Sequence, residues 1–85
     1  MNINSYEIRK ILQQDGWINN VNSINDDSVL LELKGLDSLA LISFISKLEE
    51  IYEISFSEEN LSIKNFITIT KILETLHNER KSKYE

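Results

Sequence analysis

At 85 residues, 41% of them hydrophobic, with net charge −5 and no cysteine, the chain can bury one core but cannot enclose a deep substrate cavity. The acidity disfavours nucleic acid or an anionic membrane as the main partner, because phosphate repels such a surface, and it suits basic protein partners. Disulfides and thiolate metal sites are excluded, no apolar leader opens the chain, and no apolar run is long enough to span a bilayer, so one monomeric cytoplasmic domain over 1–85 is expected.

Asn4 and Glu7 have the spacing of a capping box, with Ile3 and Ile8 placed as a hydrophobic staple. Ile8, Ile11 and Leu12 form one apolar face and Gly16 can close the helix in a left-handed turn, so the first helix is predicted over about 5–15. Residues 16–36 make a long connection, rich in Asn, Asp and Ser yet carrying Trp17, Ile18, Val21, Ile24, Val29, Leu30, Leu31 and Leu33. Such a loop is uncommon unless it packs or functions, and its apolar residues predict a lid over the core. "SVLLEL" alternates like a strand, but a lone strand has no pairing partner. Trp17 and Tyr6 are read as packing residues rather than a ligand site.

Asp37 is placed to cap a second helix over about 38–53, with Leu39, Ile42, Ile45, Leu48 and Tyr52 as its inward stripe and Phe44 and Ile51 flanking. A short third helix is predicted around 58–64. Thr68 can cap a last helix over about 69–80, with Ile69, Ile72, Leu73 and Leu76 inward and residues 78–85 as a frayed tail. The expected fold is all-α: a small four-helix bundle whose third helix is short, with a long loop between helices one and two.

The candidate functional residue is Ser38, in "KGLDSLALISF" at 34–44. Taken alone, Asp37-Ser38 reads most simply as a helix cap. A catalytic serine needs a base and an orienting acid, whereas the chain has one histidine, His77, and no G-x-S-x-G elbow. Attachment of a group makes better use of the position. With Asp37 as cap, Ser38 is the first helical residue, and a phosphodiester on its hydroxyl would meet unpaired backbone N–H groups at the positive end of the helix dipole.

"GLDSL" at 35–39 resembles the phosphopantetheine attachment signature of acyl and peptidyl carrier proteins. The resemblance extends over nearly the whole chain. It takes in the length, the acidity, the long first loop, and the stretches "KLEEIYEISFSEENL" and "NFITITKILETL", which are similar to the end of that family's second helix and the start of its last. It implies that a phosphopantetheinyl transferase moves phosphopantetheine from coenzyme A onto Ser38, and that the arm's thiol holds an acyl or aminoacyl group as a thioester. The protein would then be a carrier and not an enzyme, visiting loading and processing enzymes. Asp37 would help position the hydroxyl and the transferase's metal, and Leu39 would contact partners. The cargo could belong to fatty-acid, polyketide or peptide metabolism.

Two departures from the family pattern stand out. Lys34 occupies a place before the glycine that is often apolar, which bears on how the loop end packs. The outward positions of the second helix, expected at Ala40, Ser43 and Lys47, lack the acids that fatty-acid carriers show, since none occurs in 38–46. This points to partners outside the housekeeping fatty-acid set, in a specialised polyketide- or lipid-like pathway, with an aminoacyl or peptidyl carrier as the alternative. The Met1 start and charged tail suggest a free-standing protein. A helical adaptor without a prosthetic group, binding a partner helix in an apolar groove, is the rival class. It would explain a bundle but not the placement of Gly35, Asp37 and Ser38.

Overall fold

A computed structural model describes residues 3–33 and 35–84, with side chains through Glu79. Met1, Lys34 and Glu85, on which the expectations about chain start, loop end and tail partly fall, lie outside the described residues. Three α-helices, α1 (Ser5–Gln14), α2 (Ser38–Tyr52) and α3 (Ile69–Tyr84), are joined by connections that each contain one 3-10 turn, at Leu30–Glu32 and Ile63–Asn65. Among the described residues there is no strand, and no helix is long and apolar enough to cross a membrane.

The helix boundaries follow from local chemistry. Asn4 Oδ1 accepts from the Glu7 N–H at 3.0 Å, while Ile3 and Ile8 are both buried. α1 ends at Gly16, whose φ of +86° suits glycine. The Gly16 N–H donates to Gln13 O at 3.0 Å and the Trp17 N–H to Leu12 O at 2.9 Å, the two bonds of a Schellman closure. α2 stops where Glu53 turns left-handed, at φ 54°. Thr68 Oγ1 accepts from the Lys71 N–H at 3.1 Å, and the helix it caps continues to Tyr84, beyond the expected end at 80.

The core collects Ile8, Ile11 and Leu12 from α1, Leu41, Phe44, Ile45, Leu48 and Tyr52 from α2, and Ile69, Ile72 and Leu76 from α3. The predicted stripe on α2 is corrected: Leu39 is 75% and Ile42 51% exposed, Ile51 is exposed, and Leu41 and Phe44 take the inward places. Geometry explains the shift. Each step of three residues turns about 60° short of a full circle at 3.6 residues per turn, so 39, 42, 45 and 48 spiral across about half the helix. A face needs mixed steps of three and four, and 41, 44, 45, 48 and 52 supply them.

The connections also differ from expectation in part. "SVLLEL" holds the first 3-10 turn and not a strand, with Leu30 buried and its N–H donating to Ile67 O at 2.8 Å. Ile18 and Leu36 are buried as well, and Trp17, Ile24, Leu31 and Leu33 pack against the core. The expected short helix around 58–64 is a turn at 58–60 followed by the 3-10 turn Ile63–Asn65, so the described residues form three α-helices and not four. Residues 57–62 contribute no buried side chain, which leaves nothing to drive a helical face there. Phe56 and Phe66 bracket the stretch, buried edge to face with ring centroids 5.0 Å apart.

Candidate functional site

Ser38 stands at the first position of α2, on a firmly seated turn. Leu36 before it and Leu41 after it are 1% and 0% exposed, so both sides of the turn are anchored in the core. Gly35, at φ +84°, makes the bend, and a Cβ there would lie 3.5 Å from Trp17 Cζ3. The Leu36 N–H donates to Leu33 O at 3.1 Å, tying the turn to the end of the loop. Asp37 is extended, with ψ −174°; its Oδ1 accepts from the Ala40 N–H at 2.9 Å and its carbonyl from the Leu41 N–H at 2.9 Å. That cap satisfies one of the free amides of the helix start.

The Ser38 side chain is exposed, and its hydroxyl makes no hydrogen bond with the described residues. The amides of Ser38 and Leu39 belong to the first helical turn, where the backbone offers them no acceptor within the helix. The hydroxyl therefore combines access, a rigid base and a local positive potential, a setting that fits a covalently held phosphodiester. His77 lies exposed on α3.

The other predicted site residues divide between two flanks of α2. Leu39 and Ser43 are exposed. Ala40 is half-buried against the core, and the ammonium of Lys47 pairs with the Asp15 carboxylate, so these two are not the open positions expected. Ala40, Ser43, Phe44 and Lys47 instead wall a depression of about 440 Å³ shared with Asp15 and Trp17. The loop start has folded against that flank, a contact across 32 residues that helix periodicity does not disclose.

The opposite flank carries a feature absent from the sequence reading. Ile42, Ile45 and Glu49 follow Ser38 at i+4, i+7 and i+11, one line along the helix. With Leu61 and Ile63 from the second connection they border a groove of about 290 Å³ whose lining is mostly apolar. The i+4 and i+7 spacing from Ser38 was the available signal, but Leu61 and Ile63 join it only through the tertiary fold.

An exposed serine on a capped, rigid helix start is a setting suited to bearing a covalent group. The chain belongs to the family described as "Phosphopantetheine attachment site", which matches residues 7–76. Neither the curated proteins nor the solved structures compared with the chain include a significant match. Membership makes the chain a phosphopantetheine carrier, with the prosthetic group held covalently, and the adaptor class without such a group gives way. Carriers of this family are not enzymes; they are served by a phosphopantetheinyl transferase and by biosynthetic enzymes.

Proposed function

We propose that Ser38 is the attachment residue, that Asp37 holds it in place, and that the chain is an acyl carrier. Bound there, phosphopantetheine supplies a thiol on which the cargo rides as a thioester. The observation that carries the acyl reading is the apolar groove beginning one turn beyond Ser38 and in line with it. Ile42, Ile45, Leu61 and Ile63 offer a hydrocarbon chain cover from water, worth about 0.8 kcal/mol for each fully buried CH₂. An aminoacyl group, with its charged amine, gains little from such a lining.

Intact mass after incubation with coenzyme A and a broad-specificity transferase tests the attachment. One phosphopantetheine is expected on the wild type and none on Ser38→Ala; a gain that persists, or moves to Ser43 or Ser46, sinks the assignment. Loading with hexanoyl and with glycyl arms, followed by hydroxylamine, tests the cargo class when each is compared with its free pantetheine thioester, because the slowing by the protein should be greater for hexanoyl. Equal protection would favour the aminoacyl or peptidyl alternative.

The partner face is proposed to centre on Leu39 and Ser43, with Ala40 and Lys47 at its edge. Residues 38–48 contain no acid, so this face is a poor electrostatic match for strongly basic docking patches. This supports a specialised polyketide- or lipid-like pathway over the housekeeping fatty-acid set. Ser43→Glu, at an exposed position on that face and away from the groove, should improve turnover by fatty-acid enzymes, with a gain that shrinks as salt screens exposed charges over about 8–10 Å. Efficient extension of the unchanged protein by such enzymes would remove the specialised-pathway reading and leave the carrier role intact.

A further inference from the structure

The outer wall of the groove, residues 57–62, has no buried side chain to hold it. Its backbone bonds are mostly its own turns: the Asn60 and Leu61 N–H groups both donate to Ser57 O at 3.0 Å, and the Ser62 N–H donates to Asn60 O at 2.9 Å. Two carboxylates attach this wall to the helices. Glu49, on α2 within the groove lining, accepts from the Phe56 N–H through Oε2 at 3.0 Å. Glu79, on α3, gathers three donors on Oε1: the Ser57 N–H at 2.9 Å, the Ser57 hydroxyl at 3.0 Å and the Asn60 side-chain amide. Hydrogen bonds from these groups hold the Glu79 carboxyl below its ordinary range, the Ser57 backbone N–H first among them.

The wall therefore stands where the carboxylates put it. Leu61, Ser62 and Ile63, which face Ile42 and Ile45 across the groove, follow directly from the anchored residues. The foot of the wall is held separately: Ile63 packs against the core, the Asn65 side-chain amide donates to Asn60 O at 3.1 Å, Asn65 O accepts from the Thr75 hydroxyl at 3.1 Å, and Ile67 O accepts from the Leu30 N–H at 2.8 Å. These ties fix the C-terminal foot of the wall and leave its middle, residues 57–61, to Glu79.

We propose that Glu79, assisted by Glu49, is a positioning residue that sets the width of the groove and so the length of apolar cargo the carrier shelters. The proposal rests on the acyl reading above and adds the residue that tunes it. Releasing the wall lets Leu61 swing away from Ile42, which opens the groove to longer chains and weakens its grip on short ones.

The test has two arms. In the apo protein, Glu79→Ala should speed amide hydrogen exchange at Ser57 and Leu61 severalfold, while α1 amides keep their protection. Glu79→Gln, whose carbonyl oxygen can accept the same bonds, should restore most of the slow exchange. In the second arm, proteins loaded from hexanoyl- and dodecanoyl-coenzyme A are challenged with hydroxylamine. Glu79→Ala should shift the dodecanoyl-to-hexanoyl protection ratio severalfold toward the longer chain, with Glu79→Gln close to wild type. Unchanged exchange at Ser57, or an unchanged ratio on fully loaded protein, overturns the proposal alone. Failure of every variant to accept an arm at Ser38 overturns the attachment reading, and the proposal falls with it.

Discussion

Two connections cross the core of this carrier, and they are fastened in opposite ways. The first, residues 15–37, is fixed by burial and by one cation. The guanidinium of Arg9, whose side chain is 16% exposed, donates to Val21 O and the Asp26 carboxylate at 2.7 Å each, to Ile24 O, and through Nε to Ser5 Oγ at 2.9 Å. Asp26 O also accepts from the Thr70 N–H at 3.1 Å, so one short stretch is tied to both α1 and α3. The second connection, residues 53–68, is fully buried only at Phe56 and Phe66. Ile54 and Ile63 pack against the core, Asn65 O and Ile67 O accept from Thr75 and Leu30, and the outer stretch between the two phenylalanines is fastened by Glu49 and Glu79. The loop that leads into the Ser38 turn is locked, whereas the outer stretch of the loop that walls the groove hangs on two carboxylates.

The contrast breaks first at the packing level. Leu30→Ala, in the first connection and fully buried, should cost about 2–5 kcal/mol in denaturant unfolding. Leu61→Ala, in the second and 49% exposed, should cost under about 1 kcal/mol. Comparable losses at the two sites would abolish the distinction. The same reasoning separates two residues of α2, since Leu48→Ala should resemble Leu30→Ala while Ile42→Ala should resemble Leu61→Ala.

Next in size is the cation. Arg9→Ala strands the Val21 and Ile24 carbonyls and should cost about 3 kcal/mol, as expected for losing a partly buried charged donor. Arg9→Lys should recover only part, because an ammonium lacks the planar fork that reaches several acceptors at once. Urea melts of the three proteins decide this, and a full rescue by lysine would show that charge alone matters.

The smallest effect is reached with acid. Asp26 and Glu79 both have lowered pKa values, Asp26 chiefly through the Ser5 hydroxyl and then Arg9, Glu79 chiefly through the Ser57 N–H. Each therefore favours the folded state above the ordinary carboxylate range, and this contribution is lost as pH falls through the lowered value. Both loops weaken in acid, but the first retains Ile18, Leu30 and Leu36 in the core. Amide exchange followed as pH falls should show protection lost at Ser57 before it is lost at Thr70, whose N–H donates to Asp26 O. Simultaneous loss would mean that the two connections open as one unit.

What was legible in the sequence was local. Asn4, Gly16, Asp37 and Thr68 act on neighbours within a turn, and composition alone exposes such signals. The Gly35, Asp37 and Ser38 constellation was legible for the same reason. The inward face of α2 was misread because 39, 42, 45, 48 looks periodic while drifting around the helix. Arg9 gave no warning of its role, since its acceptors lie 12 to 17 residues away in a loop without pattern. The groove needed Leu61 and Ile63 beside Ile42, a meeting set by how the second connection folds back. Thr75, the one buried polar side chain among the described residues, satisfies its hydroxyl on Lys71 O and Asn65 O, and only the second of these contacts is tertiary.

The contact between Trp17 and Gly35 gives this carrier an optical reporter of its own. The chain has a single tryptophan, and its Cζ3 lies 3.5 Å from where a Cβ on Gly35, three residues before Ser38, would stand. Emission excited at the red edge, beyond the absorption of the three tyrosines, therefore comes from one chromophore beside the proposed loading point. Transferase action and partner docking at that end of α2 can be followed by intrinsic fluorescence, with no dye to disturb the surface that the enzymes must recognise.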